Sequence, residues 1–202
     1  MDSFGGFGAT NDVAIDLLTD SYSVAGSVQT RFGRVTDIVN QASGTHLTVH
    51  RATIREHADE GAALAAPSAM VAIGSILIIM APSLTGTAAE GMRIEKRPVR
   101  VQLSVPPFHV TGTMHFTPGS VPAESLMNIT DRFLAVTDVT VTSAAYPRLA
   151  RTAAAVAVSR DRAHVLLVAD DERPEEQLAE VLDERTAETW LGSDEAEENG
   201  ER

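Results

Sequence analysis

A stretch of sequence that occurs twice constrains the fold of this chain more than any other feature. "VAIDLLTDSYSVAGSV", starting at Val13, aligns without a gap on "VRVQLSVPPFHVTGTM", starting at Val99, at a constant spacing of 86 residues (13 to 99). Three further blocks follow in the same order in both halves: 37–40 over 125–128, 47–54 over 134–141, and 70–82 over 155–170. The period is too long for a solenoid unit, so the sequence predicts two domain-sized copies.

Each copy has the pattern of β-strands. Apolar residues alternate with polar ones in "YSVAGSV" and "LTVHRATI", and Val, Ile and Thr favour half-buried strands. One short helix is predicted in each copy, "RVTDIVNQ" and "PAESLMN", and helices this short must pack on strands to persist. We therefore predict a mainly β fold of two tandem homologous units, each a small β-barrel or sandwich with one short helix.

The predicted domain boundaries follow the repeat and the shifts in composition. We expect a Gly-rich flexible N-terminus, two β repeats joined by a linker, and an acidic C-terminal helix with a disordered tail. The ranges are 1–12, 13–82 (repeat 1), 83–98 (linker), 99–170 (repeat 2) and 171–202.

Gly26 and Gly112 are the residues that the two copies keep within their matching strands, while the polar residues around them are exchanged freely. That behaviour is typical of a structural strand and not of a ligand motif. A glycine inside a strand marks a bulge, a sharp bend or a close backbone approach, and we predict one of these at both positions.

The stretch 62–84 carries no charged residue, and hydropathy alone makes it a membrane-span candidate. Its counterpart in the second copy is interrupted by "SRDRAH", which lipid would accommodate only at high cost. We therefore expect no transmembrane span. The repeat favours a buried hairpin that turns at Gly74-Ser75, either in the core or at an oligomer interface, because so much apolar surface needs a cover.

Charge is distributed unevenly over the chain. The net charge is −12, yet a basic cluster (Arg93, Lys96, Arg97, Arg100) lies at the linker, and acids are concentrated after Asp170. The cluster is expected to be a solvated face, with a phosphate or nucleic-acid contact as the alternative. There is no cysteine, which suits a reducing compartment, and no secretory signal is recognisable, so we expect a cytoplasmic protein.

The segment 174–191 predicts an amphipathic helix with an acidic first turn. It is expected either to dock on its own domain or to bind a partner through its apolar side. The candidate partner-binding residues are Leu178, Val181, Leu182, Trp190 and Leu191.

Motifs for catalysis are missing. The sequence has no phosphate-binding loop, dinucleotide fingerprint, zinc-protease motif or nucleophile elbow. The pairs His46/His50 and His109/His115 would each share a strand face, but neither has a third ligand at an equivalent place in the repeat. No catalytic residue, metal ligand or cofactor is predicted, and we expect a protein that is not an enzyme.

The order of these blocks resembles the Sm-like small β-barrel of bacterial and archaeal RNA chaperones. That family's first motif is similar to "VAGSV" with Asp37 and Asn40, and to "VTGTM" with Asn128; its second is similar to "AVAVSRDRAHVLLV", with Arg160 at the turn. The helix between glycine and asparagine, and the missing arginine in the first copy, depart from the family pattern. The chain is also similar to uncharacterised bacterial proteins that pair V-x-G-x-V with a later FLxVTDVxV.

The resemblance implies assembly through edge strands, with RNA bound near Asp37, Asn40, Asn128 and Arg160. From the residues themselves, RNA binding has weaker support, because phosphate neutralisation needs a larger basic excess than the body of the chain carries. We therefore expect an assembly or interaction protein that self-associates or binds a protein partner through its apolar hairpin or C-terminal helix. The alternatives are an Sm-like RNA-binding protein and a small-molecule sensor that uses a cavity between the copies.

Overall fold

The computed structural model describes residues 10–59, 63–84 and 96–168, with the backbone alone for 165–168. The fold is mainly β, as predicted, and every paired strand is antiparallel to its neighbour. The described elements are β1 Asn11–Leu18, β2 Tyr22–Thr30, α1 Val35–Asn40, β3 His46–Glu56, β4 Ala63–Ala72, β5 Ile78–Met80, β6 Arg97–Val105, β7 Phe108–Phe116, α2 Pro122–Met127, β8 Phe133–Thr142, β9 Arg151–Ser159 and β10 Val165–Val168.

The ten strands form one sheet in the order β10-β6-β7-β8-β9-β5-β1-β2-β3-β4. We call β1–β5 strand set 1 and β6–β10 strand set 2. Within set 1 the neighbours run β5-β1-β2-β3-β4, and within set 2 they run β10-β6-β7-β8-β9. The sets meet where β5 pairs with β9, so both belong to one sheet, and a single compact unit extends to Val168.

The two predicted short helices are confirmed. α1 connects β2 to β3 and buries Val35, Ile38 and Val39 against set 1. α2 occupies the matching connection between β7 and β8, and begins with Pro122, whose fixed φ suits a first helical position. Because each helix has only six residues, its stability must come from packing on the sheet.

Two hydrophobic clusters form the core, and β5 belongs to both of them. Ile79 packs into the cluster of set 1, while Ile78 and Met80 pack into the cluster of set 2. A strand buried on both faces needs apolar side chains at every position, not only at alternate ones. This double burial explains the uninterrupted apolar run from Ile76 to Ala81, all of whose residues are buried.

The predicted hairpin over 62–84 is wrong. β4 pairs with β3, whereas β5 pairs with β1 and β9, so the described parts of these two strands lie on opposite sides of set 1. A 3-10 turn at Ile73–Ser75 starts the connection between them. The predicted burial is confirmed for Ile76–Ala81 and wrong for β4, most of which is exposed to solvent. Within the described residues, no helix has the length and apolar character needed to cross a membrane.

Gly26 in β2 and Gly112 in β7 lie opposite the middle of the neighbouring strands, β3 and β8. The strand register shifts at both positions, between Ala25 and Ser27 and between Thr111 and Thr113. A Cβ on Gly26 would lie 2.6 Å from the backbone oxygen of His50, and a Cβ on Gly112 would lie 2.8 Å from that of Thr137. The backbone cannot move aside as the tip of a side chain can, so each of these two positions requires a residue without a side chain.

Candidate functional site

The junction between the two strand sets is short and apolar. β5 pairs with β9 through Ile78↔Val158, Ile79↔Ala157 and Met80↔Val156, and all six of these residues are buried. Hydrogen bonds in the sheet fix the register of the contact, and the buried side chains on both faces supply its hydrophobic stabilisation. The polar groups around this junction are the next candidates for function.

Asn40, the last residue of α1, joins the two sets. Its side-chain nitrogen donates to the backbone oxygen of Phe133 at 3.0 Å, and its side-chain oxygen accepts from the backbone N–H of Phe133 at 2.9 Å. An amide side chain that pairs in this way imitates another β-strand at the start of β8. Arg132 adds long contacts to the carbonyl oxygens of Val39 and Ala42, at 3.5 and 3.4 Å.

Arg160 lies on the other side of the same strand start. Its backbone N–H donates to the oxygen of Arg132 at 2.9 Å, and its guanidinium donates to the carbonyl oxygen of Ile129. The guanidinium also pairs with the neighbouring exposed carboxylate of Asp161 at 3.2 Å. Two of the four residues that the sequence singled out, Asn40 and Arg160, therefore flank the beginning of β8, and both use polar atoms to hold the protein together.

The other two candidate residues, Asp37 and Asn128, belong to the two short helices. Asp37 is in the first turn of α1 and is half-buried, and the exposed Asn128 is the C-cap of α2, where its backbone N–H bonds to Glu124. Sequence reasoning missed Arg132 and Phe133 as partners of Asn40, because the partner lies 93 residues away and no local pattern indicates it.

Two ion pairs connect acids of set 1 to arginines of set 2. Arg151 contacts Asp16, and Arg162 donates to both carboxylate oxygens of Asp20 at 2.7 and 2.9 Å. Burial raises the pKa of Asp16 above its ordinary value, although Arg151 acts in the opposite direction. Desolvation of this carboxylate therefore has a larger effect on its pKa than the attraction of the guanidinium.

A cleft with a volume of about 440 Å³ lies beside this junction. Its lining comes from His57 and Ala58, just after β3, and from Ala145–Arg148, in the connection between β8 and β9. Both strand sets therefore contribute to it. No pattern in the sequence singles out His57, because a lone histidine is compatible with many roles.

His57 is the chemically distinctive residue of the cleft. Only 2% of its surface is exposed, and its Nε2 hydrogen-bonds to the backbone oxygen of Thr19 at 3.0 Å. Its Nδ1 has no hydrogen-bond partner among the described residues. Burial lowers the pKa of His57, and the positive charges of Arg151 and Arg148 lower it further. The ring is therefore neutral near pH 7, and because a carbonyl only accepts, Nε2 carries the proton and Nδ1 is an unpaired acceptor.

The second candidate surface is the outer edge of β4. This strand contains no charged residue, and Leu64 and Met70 are 67% and 72% exposed. At the opposite end of the sheet is β10; each of these two strands has one neighbour among the described strands. An uncharged edge strand presents unpaired backbone groups on which another strand can form.

Several residues that the sequence singled out belong neither to the cleft nor to the edge of β4. The proposed partner-binding residues lie outside the described residues: Leu178, Val181, Leu182, Trp190 and Leu191. Of the basic cluster, Arg93 also lies outside them, Lys96 and Arg100 are exposed, and Arg97 begins β6. Within the described part of the chain, no three His, Cys, Asp or Glu side chains are grouped so that they could hold a metal ion.

Comparison with known proteins adds no assignment: no protein-family model, curated protein or solved structure matches this chain significantly.

Proposed function

We propose that this chain is a non-enzymatic assembly protein, built from a tandem duplication of an Sm-like unit, whose copies associate through the outer edges of their sheets. The observation that carries the proposal is the pairing of β5 with β9, because it is a contact that the two outer strands are equipped to repeat between molecules.

The duplication is supported by the matching strand registers. Ile15 pairs with Gly26 in set 1, and Val101 pairs with Gly112 in set 2. On the strand opposite each of these glycines, a residue other than glycine has a positive φ. These residues are Arg51, with φ of 50°, and Asp138, with φ of 51°. Repeated irregularities are stronger support than repeated strands, because antiparallel strands of this length are common in unrelated proteins.

The outer edges are the counterparts of the inner ones. β4 has the place in set 1 that β9 has in set 2, and β10 has the place in set 2 that β5 has in set 1. The edge of β4 on one molecule is therefore expected to accept β10 of another. Aligning the registers places Val71, Met70 and Ala69 opposite residues 165, 166 and 167 of the neighbouring copy.

The side chains of β4 fit this contact. The three residues expected to pair are apolar, and Pro67, which has no backbone N–H to donate, lies outside them. The contact joins two different surfaces, so repetition of it produces a closed ring or an open filament according to the rotation between successive copies.

The test compares two exposed methionines. Met70→Lys puts a charge at the centre of the proposed contact, whereas Met127→Lys changes an 87% exposed methionine on α2. Analytical ultracentrifugation of the full chain is expected to show assemblies larger than a monomer. The Met70 variant should dissociate to monomers with an unchanged circular dichroism spectrum, and the Met127 variant should still assemble. A wild-type monomer at all concentrations, or equal assembly of both variants, would contradict the proposal.

RNA binding remains the alternative prediction. Asn40 and Arg160 both make hydrogen bonds within the protein, so the described geometry adds no observation in favour of an RNA contact at these residues.

A further inference from the structure

We infer that His57 is an acid-sensitive switch: protonation of its imidazole by solvent releases the ring from a contact between the two strand sets. His57 follows β3 of set 1, and its ring packs against Phe108 and Tyr146 of set 2. The inference is independent of edge-to-edge assembly, because this histidine lies outside both β4 and β10. It rests on the burial of the ring, on the state of its two nitrogens and on the way its backbone is held.

The ring of His57 is enclosed by aromatic side chains. Only 2% of the residue is exposed. Phe108, which is itself fully buried, packs edge-on against the imidazole with 5.6 Å between the ring centroids, and Tyr146 packs at 5.1 Å with a tilt of 49°. A charged imidazole would lose its hydration in this place, and aromatic carbon atoms cannot replace it with hydrogen bonds. The neutral form of the ring is therefore favoured here.

The two ring nitrogens also suit the neutral form alone. Nε2 of His57 lies 3.0 Å from the backbone oxygen of Thr19, and because a carbonyl only accepts, Nε2 carries the proton. Nδ1 is buried and has no hydrogen-bond partner among the described residues. Protonation would add an N–H group at Nδ1 that finds no acceptor in the described part of the chain. The cation would therefore lack both hydration and a hydrogen bond at this nitrogen.

The charged groups around the ring act in both directions. Burial is the largest effect and lowers the pKa of His57 below its ordinary value of 6.5, while the hydrogen bond of Nε2 acts against it. Arg151 and Arg148 lower this pKa further, and Asp20, in the connection between β1 and β2, raises it. The ionisable residues on the segments packed against the ring, and on its own segment, are Asp20, His109, Tyr146, Arg148, Arg151, Glu56 and Asp59.

The backbone of His57 is held from both sides, whereas its side chain borders an open space. Its N–H donates to the oxygen of Ser21 at 2.7 Å, and its oxygen accepts from the guanidinium of Arg148 at 3.0 Å. The cleft of about 440 Å³ is lined by the histidine itself and by Tyr146. A protonated ring can therefore rotate into the cleft and regain hydration while its backbone stays in place. This rotation breaks the contacts with Phe108 and Tyr146, which link set 1 to set 2.

The direction of the pH effect follows from linkage. The pKa of His57 is lower in the folded protein than in the unfolded chain, so the stabilisation from the neutral ring is complete above the unfolded pKa. It is lost as pH falls from there through the folded pKa. Between these two values, the unfolding equilibrium constant should rise through this one group by up to about tenfold for each unit of pH.

The first experiment follows urea unfolding of the full chain by circular dichroism at about pH 7 and about pH 5. His57→Gln keeps an amide that can donate to the oxygen of Thr19 but takes up no proton in this range. The ratio of the unfolding constant of wild type to that of His57→Gln is expected to rise by about fivefold or more on acidification. His109→Gln, at an exposed position beside Phe108, should keep the wild-type pH dependence. A ratio for His57→Gln that is the same at both pH values would overturn the inference.

A second measurement uses wild-type protein alone and stays decisive if the glutamine variant does not fold. Long-range ¹H–¹⁵N NMR spectra should show the Nε2–H tautomer of His57 at neutral pH. On titration to about pH 4, protonation of Nδ1 should coincide with loss of the nuclear Overhauser contacts from the imidazole to Phe108 and Tyr146. Protonation with both contacts retained would refute the release of the ring. An Nδ1–H tautomer at neutral pH, or a ring that stays neutral over the whole titration, would refute the switch.

Discussion

β4 and β9 have the same place in their strand sets but opposite surroundings. Ala157, in the middle of β9, pairs with β5 and is 0% exposed because it packs in the hydrophobic cluster of set 1, whereas Met70, its counterpart in β4, is 72% exposed. The sequences of the two strands are similarly apolar and uncharged in the pairing segment. The difference in exposure therefore comes from the neighbouring strand and not from the sequence of the strand itself. The apolar edge of β4 has no neighbouring strand among the described residues of a single copy.

The polar groups around the two edges differ more than the strands do. Counting from the strand registers, Leu64 in β4 is the counterpart of Arg151, and Gln102 in β6 is the counterpart of Asp16. The inner junction has an ion pair where a contact between copies would have leucine and glutamine. Ion pairs of this kind act as markers of the correct partner, because the wrong pairing would leave a charge without its counterion.

The largest expected effect tests whether the two sets fold together. Gly26→Ala and Gly112→Ala each place a Cβ within 2.6 Å of another atom, and we expect each to lower the free energy of unfolding by about 2–3 kcal/mol. Because β5 and β9 contribute buried residues to both hydrophobic clusters, the two sets should unfold together. Both variants should therefore shift one common urea-unfolding transition, measured by circular dichroism.

Gly33→Ala is the matched control, since nothing lies within 4 Å of a Cβ there, and it should change stability by less than about 0.5 kcal/mol. Two separate transitions, one for each glycine, would show that the sets are independent and would break the comparison.

A smaller effect is expected at the asparagine that joins the sets. Asn40→Ala removes two hydrogen bonds and leaves both backbone groups of Phe133 without this partner, which should cost about 1–3 kcal/mol in urea unfolding. Asn128→Ala, at the corresponding exposed position after α2, should cost less than about 0.5 kcal/mol. Equal losses in the two variants would mean that the contact of Asn40 with Phe133 is not specific to the junction.

The sequence predicted those parts of the fold that depend on local pattern. Alternation identified strands such as "LTVHRATI", and the repeat identified α1 and α2 as matching short helices. It did not predict that β5 separates from β4 and pairs with β9, because alternation indicates which face of a strand is buried and not which strand lies beside it. The predicted hairpin failed for this reason.

The candidate sites were limited in the same way. The asparagine at position 40 could be singled out from its place in the repeat, but its role depends on Phe133, which only the folded sheet brings near. His57 could not be singled out at all. It is distinguished by a buried nitrogen that has no hydrogen-bond partner among the described residues, and that property depends on the packing of Tyr146 and Phe108 around the ring rather than on any spacing of residues.

The smallest expected effect concerns the ion pair that distinguishes the inner junction from the outer edges. Arg151→Leu alone leaves the half-buried carboxylate of Asp16 unpaired and should cost about 1–2 kcal/mol, less than for a fully buried pair because solvent still screens the charge. Adding Asp16→Gln reproduces the residues of the outer edge, and the double variant should return to within about 1 kcal/mol of wild type in urea unfolding.

The pH dependence of stability gives this last comparison an independent readout. Burial raises the folded-state pKa of Asp16 above its ordinary value of 3.8, so the native protein holds this proton to higher pH than the unfolded chain does. The stabilisation from the protonated group is therefore complete below the unfolded pKa, and it is lost as pH rises through the folded pKa. Arg151 also lowers the pKa of His57, so the reference is Arg151→Leu alone, which carries the same change at His57. Adding Asp16→Gln should remove the loss at Asp16, so the unfolding free energy of the double variant should rise relative to that of Arg151→Leu from about pH 4 to 7. If this difference does not change over that range, burial at the junction does not raise the pKa of Asp16, and the prediction is wrong.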